Sequence, residues 1–246
     1  MKNYDPQSFF DFLGYGTGDQ TYDCPGLRSL SVYCRGEAAQ LERLLEPMPF
    51  ELADDRFVVS IADFSNNSGM VYYDAAIILA VRYGEHTGGS YYYEWEDTHV
   101  SVAAGRELWG YPKHFALISL DEDDRGVTGH VGLEGQTAFD VRLAFDDDVD
   151  GSAWSDFTVY PHLQVRAVPQ TNGPSFQHFD IISRNTAKDF ELTSRRYGRA
   201  EVQFGAEIVA GDEPLRIVET FGGDYTIGDF HATRENGTPT IIASLV

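Results

Sequence analysis

The chain reads as a mainly β protein, largely antiparallel, with a few short helices. Two features predict this. From residue 115 onward, β-favouring runs are separated by acidic or glycine-containing turns: Phe115 to Leu120, Val127 to Leu133 and Thr137 to Phe145. Such spacing is that of antiparallel strands joined by short connections. Only one segment, Glu37 to Glu46, carries a convincing helical period. No internal repeat or linker divides the 246 residues, and large β folds often reach this length as one unit, so a single domain over 1–246 is expected.

In chain order, residues 1–26 are rich in Gly, Asp and Tyr without a clear period and read as an arm or loop, with a helical turn at Ser8 to Leu13. Leu27 to Arg35 is a predicted strand. The helix at 37–46 follows: Ala38, Leu41, Leu44 and Leu45 make its apolar face and Pro47 ends it. Phe57 to Phe64 and Met70 to Tyr83 are predicted strands around the turn cluster 65–69, and Tyr91 to Trp95 is β-favouring and aromatic. Val100 to Gly110 is read as helical at its end, and Pro112 forces the helix to stop. Beyond residue 145, strands are expected at Phe157 to Val168 (interrupted by Pro161), Phe176 to Ile182, Phe190 to Thr193 and Ala200 to Phe204. A longer one spans Leu215 to Phe230, where Gly222-Gly223 suits a bulge or a close backbone approach.

Composition excludes several functions. Formal net charge is −21, from 39 acidic against 18 basic residues. That balance opposes nucleic acid, which calls for a basic stripe, and anionic membrane surfaces. No apolar run reaches the roughly 18 residues needed to span a bilayer. The N-terminal residues lack the apolar stretch of a signal peptide, so a cytoplasmic location is expected. Cys24 and Cys34 fit no zinc spacing and read as two buried thiols. The seven histidines show no metal-ligand spacing, and His231 has no evident partner. Gly-x-Ser-x-Gly, a glycine-rich phosphate loop and a Cys-His signature are all missing.

The stretch with chemical character is Gly105-Arg-Glu-Leu-Trp-Gly-Tyr-Pro-Lys-His114. Lys113 is one of three lysines, with Lys2 and Lys188. Apolar residues flank it: Val102, Ala103 and Ala104 before, Phe115 to Ile118 after. A lysine so placed can pack its stem and keep its head in water. Alternatively, it is desolvated, and its pKa falls from about 10.4 until the neutral amine is a nucleophile able to form an imine with a carbonyl.

Arg106-Glu-Leu-Trp-Gly-Tyr-Pro-Lys113 resembles the signature of the acetoacetate decarboxylase family, in which the lysine after Tyr/Phe-Pro is the Schiff-base nucleophile. The strand-helix-Leu-Glu-Pro-x-Pro segment near residues 27–49 and the Pro-Leu-Arg-Ile-Val run at 214–218 are similar to the family as well, so the resemblance spans nearly the whole chain. It implies a closed or cone-like antiparallel barrel, a homo-oligomer, and decarboxylation of a β-keto acid by Lys113 with no cofactor and no metal, because the imine is the electron sink.

The resemblance also suggests roles for individual residues. Arg28 best matches an arginine that enters the family's site and would orient the substrate carboxylate, although Leu27 is the strict register partner. Asp74 stands where a family glutamate works beside the nucleophile. Ser60 aligns with a second family carboxylate, a departure that leaves acetoacetate in doubt as substrate. His114 replaces a second lysine, so its charge contributes little above about pH 7, and desolvation by walls such as Trp109 is expected to carry any shift of Lys113. Trp109, Tyr111, His114 and Ser60 are the pocket candidates. Two further readings remain open: Schiff-base aldol, dehydration or hydration chemistry on 2-keto acids such as pyruvate, and a binding protein that keeps the fold without the chemistry.

Overall fold

The computed structural model describes residues 5–13 and 21–246. Part of the expected N-terminal arm, at 1–4 and 14–20, lies outside the described residues. Helix α1 (Pro6–Leu13) is followed by β1 (Tyr22–Gly36), α2 (Ala38–Leu45), β2 (Glu51–Asp63), β3 (Tyr73–Tyr83) and β4 (His86–Glu96). Next come α3 (His99–Trp109), β5 (Lys113–Phe115), β6 (Leu117–Asp123), β7 (Gly126–Leu133) and β8 (Gln136–Phe145). The last part holds β9 (His162–Pro169), β10 (Phe176–Arg184), β11 (Phe190–Phe204), the hairpin β12 (Val209–Ala210) and β13 (Glu213–Pro214), β14 (Ile217–Ala232), the one-turn α4 (Arg234–Gly237) and β15 (Thr240–Ser244).

Thirteen strands form one sheet in the order β15-β10-β9-β4-β3-β2-β1-β14-β11-β8-β7-β6, with β5 added alongside β4. The mainly β class is as expected; the closed antiparallel barrel is not. Strand β4 runs parallel to both β5 and β9, so the sheet is mixed, and β15 and β6 are edges that do not pair. Closure needs both edges to meet in a matched stagger. Here the sheet instead curls and packs on itself: Phe57 on β2 meets Phe204 on β11 with ring centroids 6.4 Å apart, and Trp95 on β4 meets Phe139 on β8 at 5.9 Å. The main core lies between these faces, around Leu30, Val32, Ile61, Ile77, Leu79 and Leu143.

Local details follow the sequence with several corrections. In α2, Leu41, Leu44 and Leu45 are buried as expected, but Ala38 is exposed and Gln40 takes the inner position. Its amide group is satisfied by Pro214 O and the Arg216 N–H. Residues 22–26 are strand rather than arm. The two expected strands at 190–204 are one, β11, with a register shift between Leu192 and Ser194. Residues 157–161 form a loop ending in a cis Tyr160–Pro161 bond, and β9 begins only at His162. The Gly222-Gly223 expectation holds. Register slips between Tyr33↔Gly222 and Cys34↔Thr220, leaving Phe221 unpaired, and a Cβ on Gly223 would lie 2.6 Å from Ser31 O. Cys24 and Cys34 are both buried free thiols. His231, without an evident partner in sequence, sits 2.8 Å from Asp23.

Candidate active site

Helix α3 and strand β5 together aim Lys113. Thr98 caps α3 by accepting from the Ser101 N–H, and the helix ends at Gly110, which takes the left-handed conformation at φ 68°. Gly110, not Pro112 alone, therefore stops the helix: a Cβ there would also lie 2.7 Å from Arg166 Cα. The chain then enters β5, where Lys113 lies opposite Glu94 of β4. Arg106 donates to Lys113 O at 3.1 Å and so ties the strand back to the helix. The aliphatic stem of Lys113 runs past Gly105, where a Cβ would come within 2.4 Å of Lys113 Cδ. Gly105 is the residue that makes room for the lysine.

Lys113 is only 6% exposed. Its Nζ lies 3.2 Å from Asp74 Oδ2 and 3.1 Å from Glu94 Oε1, and it donates to Glu96 Oε1. Burial acts to lower the lysine pKa, but Glu94, Glu96 and Asp74 outweigh it and hold Lys113 well above its ordinary value. The resting residue is a buried ammonium in an acidic cage, not the neutral amine that its apolar sequence neighbours suggest. Burial pushes Glu94 and Glu96 upward, reinforced by repulsion from neighbouring carboxylates and opposed by Lys113. Glu94 Oε2 is buried without a hydrogen-bond partner among the described residues. The cage can thus both accept the lysine proton and return one. Among the described residues no group of three His, Cys, Asp or Glu is arranged to hold a metal.

A second polar network lies beside the cage. Tyr111 OH is 2.8 Å from His162 Nδ1, and Tyr91 OH is 3.4 Å from His162 Nε2. His162 is buried, and that burial, helped by Arg184 and Lys113, pushes its pKa down to about 3, so it is neutral. Arg184 donates to Tyr111 OH and Gly237 O and lies 4.7 Å over the Trp109 ring. The two cations flank Tyr111, with Lys113 Nζ 5.3 Å and the Arg184 guanidinium carbon 6.0 Å from its centroid. Arg184 is buried, and tyrosines rather than carboxylates stabilise its charge. Lys113, Asp74, Glu94, Tyr91, Tyr111 and Arg184 all line one cavity of about 430 Å³.

The model of the family described as acetoacetate decarboxylase (ADC) matches residues 16–237. The chain belongs to the acetoacetate decarboxylase family. It is 27% identical over 189 residues to an acetoacetate decarboxylase of Burkholderia vietnamiensis, which covers 76% of each chain. A solved acetoacetate decarboxylase structure superposes with a TM-score of 0.77 at 18% identity, covering 92% of this chain and 91% of the other. The enduracididine biosynthesis enzyme MppR complexed with pyruvate superposes at 0.66 and 14% identity, over 91% and 90%. These last two likenesses establish the shared fold.

Within this family setting, the sequence-derived site residues divide. Asp74 reaches Lys113, and Trp109, Tyr111 and Ser60 line the cavity. Arg28 does not. Alternation along β1 sends Leu27, Ser29, Ser31 and Tyr33 to the cavity, while Arg28 pairs with the buried Asp63. Leu27 thus occupies the strict register position, and the arginines lining the cavity are Arg184, beside Tyr111, and Arg195, paired with Asp224. His114 is exposed and absent from the cavity lining, because it alternates away from Lys113 along β5. Burial and Arg106 lower its pKa, which leaves it a weak neighbour charge at neutral pH. Glu94, Glu96, His162 and Arg184 were not found from sequence. The one available signal was Glu94 and Glu96 at i and i+2, which puts two charges on one face of an aromatic strand.

Proposed function

We propose that this protein is a lysine-imine lyase of keto acids, with decarboxylation of a β-keto acid as its reaction. The observation that supports it most is Lys113 Nζ, buried at a cavity wall and touched by three carboxyl groups. Such an amine is charged at rest and has acceptors in contact, so substrate entry can be coupled to proton transfer from Lys113 into the cage. The neutral amine adds to the ketone carbon, and a carboxyl group protonates the departing hydroxyl as water leaves. The iminium then takes up the electron pair of the breaking C–C bond, carbon dioxide departs, and the enamine carbon is reprotonated from the cage. Hydrolysis releases the ketone and returns the lysine. Arg184, a buried cation with no carboxylate partner among the described residues, is the candidate group to hold the substrate carboxylate before cleavage.

A second reading is favoured by two observations. The carboxyl groups are more numerous than one proton transfer requires, and the fold neighbour MppR was captured with pyruvate. An enamine of pyruvate could add to an aldehyde, with the cage assisting loss of water. Borohydride trapping with acetoacetate and with pyruvate, followed by peptide mapping, tests the shared step: the adduct should sit on Lys113. An adduct on Lys188 or Lys2, or none with any keto acid, would remove both readings. Carbon dioxide release separates them from each other, since the condensation yields instead an ultraviolet-absorbing unsaturated keto acid.

A further inference from the structure

Three adjacent rows of side chains cross the cavity face of the sheet. In the middle row Lys113 lies opposite Glu94, then Ala76, Ser60, Ser31 and finally Asp224 of β14. Between Glu94 and Asp224 this row is therefore made only of small residues. One flank is large and mostly apolar: Tyr91, Ile78, Val58 and Tyr33 stand opposite one another in the next row. Phe157 and Val159, from the loop before β9, pack onto that flank. The result is a trough with a small-residue floor and an apolar wall, running across the strands from the Lys113 cage. It ends at the Asp224–Arg195 ion pair, 3.2 Å apart, which also lines the cavity.

The dimensions bear on what fits. Lys113 Nζ touches Asp74 on β3, and β14 is three strands further on, or about 14 Å at ~4.8 Å per strand. The whole cavity is about 430 Å³. Allowing each heavy atom the ~30 Å³ of a liquid water, acetoacetate would fill only about half of it. Ser60, where the family resemblance places a carboxylate, is the centre of the trough floor. A longer acidic side chain there would obstruct the path from Lys113 to β14.

We propose that the substrate is a keto acid with an extended apolar tail, of medium-chain or aryl-terminated type and roughly 10 Å long. Its keto group meets Lys113 while the tail lies along Ala76, Ser60 and Ser31 against Val58, Ile78 and Tyr33. This rests on Lys113 as the imine-forming residue, but the trough can be read independently of that chemistry.

Calorimetry with keto-free acids reads the trough alone. Each methylene seated in it tightens binding about fourfold, so octanoate and 4-phenylbutanoate should bind at least tenfold more tightly than butanoate. Ser60→Leu should abolish that advantage, and Ser31→Leu, one strand further from Lys113, should penalise 4-phenylbutanoate and octanoate but not hexanoate. Equal affinities within threefold, no measurable binding of any tailed acid, or an advantage untouched by both variants would overturn the trough. Borohydride trapping with 3-oxooctanoate against acetoacetate then joins the two readings, and the longer acid should label Lys113 at lower concentration. Discriminating acids with no adduct from either keto acid would remove the imine and leave the trough standing.

Discussion

Replacing Glu94 by glutamine should make Lys113 reactive at lower pH. Glu94 Oε1 lies 3.1 Å from Lys113 Nζ, and both groups are buried. At an effective dielectric near 20, Coulomb attraction over that distance is about 5 kcal/mol. The realised loss is smaller, because Asp74 and Glu96 remain and because burial has already pushed Glu94 towards its protonated form. Removing one opposite charge at such range moves a titration by about 1 to 3 pH units. The sign is fixed: Glu94 raises the Lys113 pKa, so its loss lets burial pull the lysine down and lets the neutral amine appear earlier as pH rises. The assay is the rate of borohydride trapping against pH for wild type and Glu94→Gln, with circular dichroism to verify the fold. The substitution also removes a candidate proton donor, which lowers the plateau but not the midpoint. A midpoint that stays in place or moves upward would refute the cage as the control of Lys113.

Four further outcomes are expected. Gly105→Ala should reduce trapping at Lys113 at least tenfold, because a Cβ 2.4 Å from Lys113 Cδ forces the stem aside, at a stability cost of about 1–3 kcal/mol in urea melts. Arg184→Met should weaken keto-acid binding at least thirtyfold, about 2 kcal/mol by calorimetry, whereas Arg28→Ala should leave it within threefold and show its effect in stability, since the buried Asp63 loses its cation. His114→Ala should move the trapping midpoint by less than about half a pH unit, because the ring is exposed and turned from the cavity. His162 is held at about 3, below its unfolded value of about 6.5, so the unfolded chain binds the extra proton between those limits and stability falls as pH drops through that window. His162→Gln should flatten that fall by about 1.4 kcal/mol per pH unit in urea melts at pH 4 to 6, and an unchanged slope would assign the proton elsewhere.

The parts of the site that the sequence made legible are those within one segment. Lys113 stands in a contiguous motif, and Asp74 adjoins an apolar strand, so residue type and local setting sufficed. What failed was inference from sequence neighbours to spatial ones. Ala103, Ala104 and Phe115 suggested a desolvated lysine, yet the lysine head reaches across to β3 and β4, where Asp74, Glu94 and Glu96 decide its charge. Those contacts depend on β5 pairing parallel to β4, a non-local register that periodicity does not report. Arg28 shows the same limit at finer scale. One residue along a strand exchanges the two faces, so resemblance could locate β1 but could not choose between Leu27 and Arg28. Arg184 comes from β10, which joins the sheet beside the site through β9 and its parallel pairing to β4 at Gly89↔His162. That pairing delivers His162 and Arg184 together beside Tyr111. The cation proposed to hold the substrate carboxylate thus comes from a different strand than resemblance implied. On β1 and β2, Ser31 and Ser60 are thereby left uncharged, which is the condition for the proposed apolar tail to lie across them.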